Sequence, residues 1–226
     1  MEESQRDKKV LGALNSIFLT LIPMKKNPSS FKDFRPISCC NVVYKIIAKI
    51  IAQQLKQILS EIITKEQFGF LFNCQIHDVV SLSQEAIHTI KHGKSKAFAL
   101  KLDLSKSYDR VNWTFLRLVM IQIRMDLETF NWIMGYVQSV SFAVLINGSP
   151  SNFFRSSRGL GQGCPLSPFL FLLIVDDLSI IIHQYEMEGS YKGVMVTNSE
   201  ELSQILFVDD VIMMGEGTWE NIKEAE

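Results

Sequence analysis

Ile205-Leu206-Phe207-Val208-Asp209-Asp210-Val211-Ile212-Met213-Met214 sets two adjacent carboxylates between two apolar runs of strand length. The pattern predicts a β-hairpin with the acidic pair at or beside its turn. Two like charges about 4 Å apart at an effective dielectric of about 20 repel by about 4 kcal/mol, so a fold that keeps both ionised does well to offer a divalent cation. A polar turn with two solvated aspartates accounts for the same residues, because acidic turns are common. This stretch alone leaves both readings open, and the rest of the chain has to choose between them.

The 226 residues can bury a sizeable core, and a composition 47% hydrophobic and 21% charged is that of a soluble globular protein. The longest apolar run, Phe169 to Val175, is far short of a bilayer span and is followed at once by Asp176-Asp177, so no membrane segment is expected. Met1-Glu2-Glu3 begins acidic, unlike a secretory leader. Cys39, Cys40, Cys74 and Cys164 form no CxxC pair and no regular spacing, which predicts reduced thiols in an intracellular protein. His88 and His92 are four apart on an expected helix, where a solvated face explains them without a metal. Charge is unevenly placed: residues 1–113 hold 17 Lys and Arg against 10 Asp and Glu, and residues 114–226 hold 6 against 14. A basic half suits a phosphate backbone and an acidic half suits metal ions, although mutual neutralisation would explain the same counts.

In chain order, Ser16 to Ile22 reads as a strand ended by Pro23. The basic loop Met24 to Ser30 leads to Phe31-Lys32-Asp33-Phe34-Arg35-Pro36-Ile37-Ser38, where proline forces Arg35 into an extended conformation. Its planar fork there could hold two phosphate oxygens, and a surface ion pair with Asp33 is the plainer expectation. Val43, Ile46, Ile47, Ile50, Ile51, Leu55, Ile58, Leu59 and Ile62 recur at helical spacing, which predicts a helix from Asn41 to about Ile63 capped by Ser38 or Asn41. Gln67 to Asn73 is irregular, and a helix is expected from about Asp78 to Lys91 before the stop at Gly93. Ala97 to Asp103 alternates as a strand with Phe98, Leu100 and Leu102 on one face and Asp103 on the other. Leu104 to Arg110 reads as a tight loop, then helices from Trp113 to Ile123, capped by Asn112, and from Leu127 to Gln138. A strand from Val140 to Ile146 runs into the hairpin turn Asn147-Gly148. Arg158-Gly159-Leu160-Gly161-Gln162-Gly163-Cys164 lets a ligand approach the backbone closely, and Ser167-Pro168 starts a helix to about Tyr185 with Asp176-Asp177 on its solvated face. A short strand is expected at Val194 to Val196.

Asp103 and Asp209 are 106 positions apart, so only a fold that lays their strands side by side could unite them. Carboxylates so united are what two-metal phosphoryl transfer requires. At this point the chain resembles the reverse transcriptases of LINE-type, non-LTR retrotransposons, most closely their plant members. The resemblance is carried by Leu21-Ile22-Pro23, Asp33-Phe34-Arg35-Pro36-Ile37-Ser38, Asn41-Val42-Val43-Tyr44-Lys45-Ile46-Ile47-Ala48, Lys101-Leu102-Asp103-Leu104-Ser105-Lys106-Ser107-Tyr108-Asp109-Arg110-Val111, Gln162-Gly163-Cys164-Pro165-Leu166-Ser167-Pro168 and Phe207-Val208-Asp209-Asp210. It departs from that family's pattern at Asn73-Cys74, where Gly-Arg is usual, at Met24 for lysine, at Gly161 for arginine and at Val208 for alanine.

The resemblance implies an α+β fold: the fingers and palm of a right-hand polymerase, an antiparallel palm sheet flanked by helices, with the thumb absent. Fingers would comprise residues 1–95 and 121–157, and an incomplete palm residues 96–120 and 158–226. Asp103, Asp209 and Asp210 would hold two Mg2+ ions. Tyr108 would be the gate that selects deoxynucleotides, Gln162 and Gly163 would lie under the incoming base and sugar, and Arg35 would meet the triphosphate. A structural ion pair is expected of Asp109 and Arg110. Partners would be an RNA template, a DNA primer and dNTPs, with no membrane. The alternative is a catalytically inactive, truncated remnant that at most binds nucleic acid.

Overall fold

A computed structural model describes residues 15–70, 76–93, 96–196 and 201–217. The polar opening to Lys9 and the departure at Asn73-Cys74 lie outside these residues. The elements are β1 (Ser16–Pro23), a 3₁₀ turn (Phe31–Asp33), β2 (Phe34–Cys39), α1 (Val42–Ile62), α2 (Ile76–His92), β3 (Ala97–Asp103), α3 (Ser107–Arg110), α4 (Trp113–Gln122) and α5 (Leu127–Gln138). There follow β4 (Ser141–Ile146), β5 (Ser149–Pro150), β6 (Phe154–Arg155), α6 (Ser167–Met187), β7 (Val194–Met195), β8 (Glu201–Leu202), β9 (Gln204–Phe207) and β10 (Asp210–Glu216).

The chain divides into two compact units: Met1–Ile58 with Lys106–Phe171, and Leu59–Ser105 with Leu172–Glu226. In the first unit β1 is central, antiparallel to β2 and parallel to β4, and β4 also carries β5 and β6. β2 tolerates Pro36 because, among the described residues, it is an edge strand with no strand beside it to receive the missing N–H. The helical repeat of α1 turns Tyr44, Ile47, Ala48, Ile51 and Leu55 inward, where they are buried. Asn41 caps that helix by accepting from the Tyr44 N–H at 2.8 Å. From α5, Tyr136 stacks on Tyr44 with ring centroids 4.0 Å apart, and Ile133 is fully enclosed.

In the second unit β10 is the middle strand of an antiparallel sheet, β3-β10-β9. α2 covers one face: Val79 and Ala86 pack with Ile205, Met214 and Val194, joined by Ala97 and Ile212. On the other side Gln204 donates to the Ser179 carbonyl of α6 at 3.4 Å. Full burial of each large aliphatic side chain contributes about 1.5–3 kcal/mol, so the sheet is held by its two covers more than by its three strands.

Several expectations need correction. The extended backbone expected at Arg35 is part of a strand, Phe34 to Cys39, because β1 offers it a full antiparallel ladder from Pro23↔Phe34 to Phe18↔Cys39; other stretches differ from expectation. The loop at Leu104 to Arg110 contains the short helix α3, entered through Lys106 in the left-handed region at φ 54°. Asp33 pairs with Lys25 at 2.9 Å rather than with Arg35, and its carboxylate also accepts from the Ser29 and Ser30 N–H groups. Among the described residues no salt bridge joins Asp109 to Arg110. Ser167 is the first residue of α6 rather than the one before it, and its hydroxyl donates to the Gly161 carbonyl at 2.7 Å. Asp176 is not solvated: it is 5% exposed and accepts from both the N–H and the hydroxyl of Thr64 at 3.0 and 2.7 Å. Among the described residues α6 has the length and apolarity of a membrane span. A core helix has the same properties, and Leu170, Leu172, Leu173 and Val175 are buried within the protein.

Candidate active site

The acidic pair flanks a tight turn. Phe207 and Asp210 are ladder partners, so Val208 and Asp209 alone connect β9 to β10, and Asp210 is the first residue of β10. Across the other ladder Asp210 stands in register with Asp103, the last residue of β3. Directly opposed residues of an antiparallel pair have Cα atoms about 4.5–5.5 Å apart and project to the same face. Two strands 106 positions apart thus bring Asp103, Asp209 and Asp210 to one end of one sheet, with all three residues exposed. Lys101 lies on the same face, two positions back, and its Nζ is 3.0 Å from Asp210 Oδ1. That hydrogen bond holds the Lys101 amine above the ordinary lysine range.

Three carboxylates are the hard oxygen donors that Mg2+ prefers, and like charges set opposite each other suit a divalent cation. Among the described residues no three His, Cys, Asp or Glu side chains converge as a metal-ligating cluster; Asp210 is engaged by Lys101 instead. By donor chemistry the three carboxylates suit a divalent metal, but their side chains do not converge on one point, and the Lys101 ammonium supplies the positive charge at Asp210. His88 and His92 are exposed and stack on each other with centroids 4.3 Å apart.

Arg35, Tyr108, Gln162 and Gly163 belong to the first unit. Arg35 is exposed on β2 opposite Ile22. Three residues further along the strand, the Ser38 N–H donates to the Gln162 carbonyl at 2.8 Å and ties the glycine loop to β2. Gly163 has φ 95°, a conformation that L side chains rarely adopt. On the other flank the Leu160 N–H donates to the Tyr108 carbonyl at 2.8 Å, and the Trp113 indole N–H donates to the Gly159 carbonyl at 2.8 Å. The Tyr108 ring is half-buried and stacks on Phe171 with centroids 4.7 Å apart. A cleft of about 150 Å³ is lined by Pro36, Ser38, Asp109, Arg158, Gly161 and Gln162. Burial raises the Asp109 carboxyl above its usual range, partly opposed by Lys106.

Sequence reasoning passed over Thr64 to Gly69. The Phe68 N–H donates to the Leu206 carbonyl and the Leu206 N–H to the Glu66 carbonyl, both at 2.9 Å, which lays this segment parallel to β9 beside the turn. Gln67 is 1% exposed. Nothing local in the sequence marks Gln67, because its burial and its bond from the Val208 N–H, 141 positions away, come from the fold.

The sequence profile of the family described as reverse transcriptase (RNA-dependent DNA polymerase) matches residues 24–225. An uncharacterized 149 kDa protein of transposon TX1 from Xenopus laevis is 29% identical over 88% of this chain, which spans 15% of that protein. A retrovirus-related Pol polyprotein from the type-1 retrotransposable element R2 of Nasonia vitripennis is 23% identical over 87% of the chain, which spans 18% of it. An uncharacterized mitochondrial protein of Arabidopsis thaliana is 40% identical but covers 34% of the chain, too little to support a plant affinity for the whole. Among solved structures, apo telomerase from Candida tropicalis, truncated from its C-terminal domain, superposes on 99% of the chain and 48% of its own, with a TM-score of 0.61 and 14% identity. The α+β fold described above is shared with that polymerase.

Proposed function

Because this chain belongs to the reverse transcriptase (RNA-dependent DNA polymerase) family, whose relatives matched here include the polymerases of non-LTR retrotransposons, we propose that it adds deoxynucleotides to a DNA primer on an RNA template. The family works with divalent metal ions and binds RNA templates. The observation that carries the proposal is the register of Asp210 with Asp103, with Asp209 in the adjoining turn. Asp103, Asp209 and Asp210 would hold two Mg2+ ions, which supply charge neutralisation and an activated primer 3′-hydroxyl. Arg35, extended and exposed, presents its fork to triphosphate oxygens. Tyr108, fixed by its stack on Phe171, offers a rigid ring as the gate against a ribose 2′-hydroxyl. Gln162 and Gly163, tied to Ser38, form a floor for base and sugar. Assigning fingers and palm is part of the same proposal, with β3-β10-β9 as the palm sheet.

Primer extension with an RNA template, a DNA primer, dNTPs and Mg2+ tests it. Incorporation that Asp209→Asn abolishes supports the enzyme; no incorporation by the folded chain overturns it.

A second reading, a nucleic-acid-binding module without catalysis, is favoured by one observation: the Lys101 ammonium sits on Asp210 where a polymerase needs a free carboxylate. Salt-dependent binding of an RNA–DNA duplex with no extension at any Mg2+ concentration would select it.

A further inference from the structure

Val208 has φ 60°, and Asp209 is not in the left-handed region, so the connection places a positive φ at its first central residue alone. That position in a two-residue hairpin favours glycine. A β-branched side chain there is strained and persists only where its surroundings over-determine it. The surroundings come from the segment missed in the sequence. Gln67 Oε1 accepts from the Val208 N–H at 3.2 Å and from the Gly69 N–H at 3.0 Å. Gly69 makes room for the valine: a Cβ there would lie 2.6 Å from Val208 Cγ2. The segment itself is anchored to α6 by Thr64 on Asp176 and by Glu66 Oε2, 3.3 Å from His183 Nε2.

We infer that Gln67 is a positioning residue for the acidic turn: its buried amide oxygen holds the Val208 N–H in the strained conformation that sets Asp209 at the sheet end carrying Asp103 and Asp210. The inference rests on the reading that these aspartates bind divalent cations. Gln67 touches neither metal nor substrate. It acts through the backbone of Val208, as partners behind metal ligands do when their loss weakens metal affinity by about 10–100-fold.

The test is Mn2+ binding to the full chain, followed by electron paramagnetic resonance. Gln67→Met keeps the volume and removes the acceptor; it is expected to weaken Mn2+ binding about tenfold. Gln67→Glu keeps an acceptor for both N–H groups and is expected to bind within about threefold of the parent. Val79→Ala loosens the packing beneath the same sheet and should leave the affinity unchanged. If the parent binds no Mn2+, or Asp209→Asn binds it equally well, the cation-site reading fails and takes the inference with it. If the parent binds and Asp209→Asn does not, but Gln67→Met matches the parent or weakens only as Val79→Ala does, the inference alone is overturned. Should Gln67→Met fail to fold, amide exchange in the parent decides: the Val208 N–H must be protected, and fast exchange there overturns the clamp.

Discussion

Asp210 faces Asp103 directly across the β3–β10 ladder, and the nearest compensating charge is the Lys101 ammonium, 3.0 Å from Asp210 Oδ1. Like charges opposed on adjacent strands destabilise a sheet, so this end of the second unit should respond to anything that neutralises them. MgCl2 added at constant ionic strength is expected to raise the melting temperature, because a ligand that binds only the folded chain stabilises it by mass action. Asp103→Asn should raise the metal-free melting temperature and remove most of the Mg2+ response. Lys101→Met should lower the metal-free value and enlarge the response. Scanning calorimetry of the three chains with and without Mg2+ checks this, and identical Mg2+ responses would refute it.

Asp176 yields a pH prediction of known sign. Burial raises its carboxyl above the ordinary range, with the Thr64 hydroxyl and N–H pulling the other way. A carboxyl whose folded value lies above its unfolded one favours the fold when protonated. That contribution is full below about 3.9 and is lost as pH rises through the higher folded value. Asp176→Asn keeps an acceptor for Thr64 without a buried charge, so at pH 7 it should be neutral or stabilising. Asp176→Leu leaves two donors unpaired and should cost about 1–3 kcal/mol. Urea unfolding from pH 4 to 7 checks both, since only the parent should show the Asp176 titration and the two variants should differ by a constant offset.

The Asp176 bond also marks where sequence reading stops. Period and capping made most elements legible: β1, β3, α1, α4 and α5 fall within a residue or two of expectation because each buries one face of a regular repeat. The acidic hairpin was legible for the same reason. Long-range satisfaction of polar groups was not. Asp176 looked like part of a solvated helix face until Thr64, 112 positions earlier, occupied its carboxylate. At β2 the extended backbone at Arg35 was legible from Pro36, but the pairing with β1 that makes it a strand was not. Gln67 carried no local periodicity at all.

His183 should titrate with the same sign, in a higher pH range. Partial burial works against its charge, but Glu186 at 2.7 Å and Glu66 at 3.3 Å outweigh that and raise its value above the ordinary histidine range. The stability it adds is full below about 6.5 and is lost as pH rises through the higher folded value. The side chain is 41% exposed, so solvent screening limits the effect to less than about 1 kcal/mol. His183→Gln should flatten the stability profile above about pH 6.5. An unchanged slope would show that another group carries it.

Tyr136 gives the strongest prediction for the first unit. Its ring is 2% exposed and stacks on Tyr44; its hydroxyl lies 3.1 Å from Cys164 Sγ, under the loop that carries Gln162 and Gly163. Tyr136→Phe removes the hydroxyl's contacts with the Cys164 thiol and, at 3.5 Å, the Tyr44 carbonyl, and should cost about 0.5–1.5 kcal/mol. Tyr136→Ala opens a cavity and should cost about 3–5 kcal/mol. Burial pushes both phenols well above the ordinary tyrosine range. Their neutral forms therefore support the fold fully below about pH 10, and that support is lost as the chain is driven to ionise them above it. In the folded chain Tyr44 and Tyr136 should stay un-ionised past pH 11, by absorbance near 295 nm, until alkaline unfolding releases them together. Tyr136→Phe should shrink that late step by one phenol, and a step of unchanged size would place Tyr136 in contact with solvent.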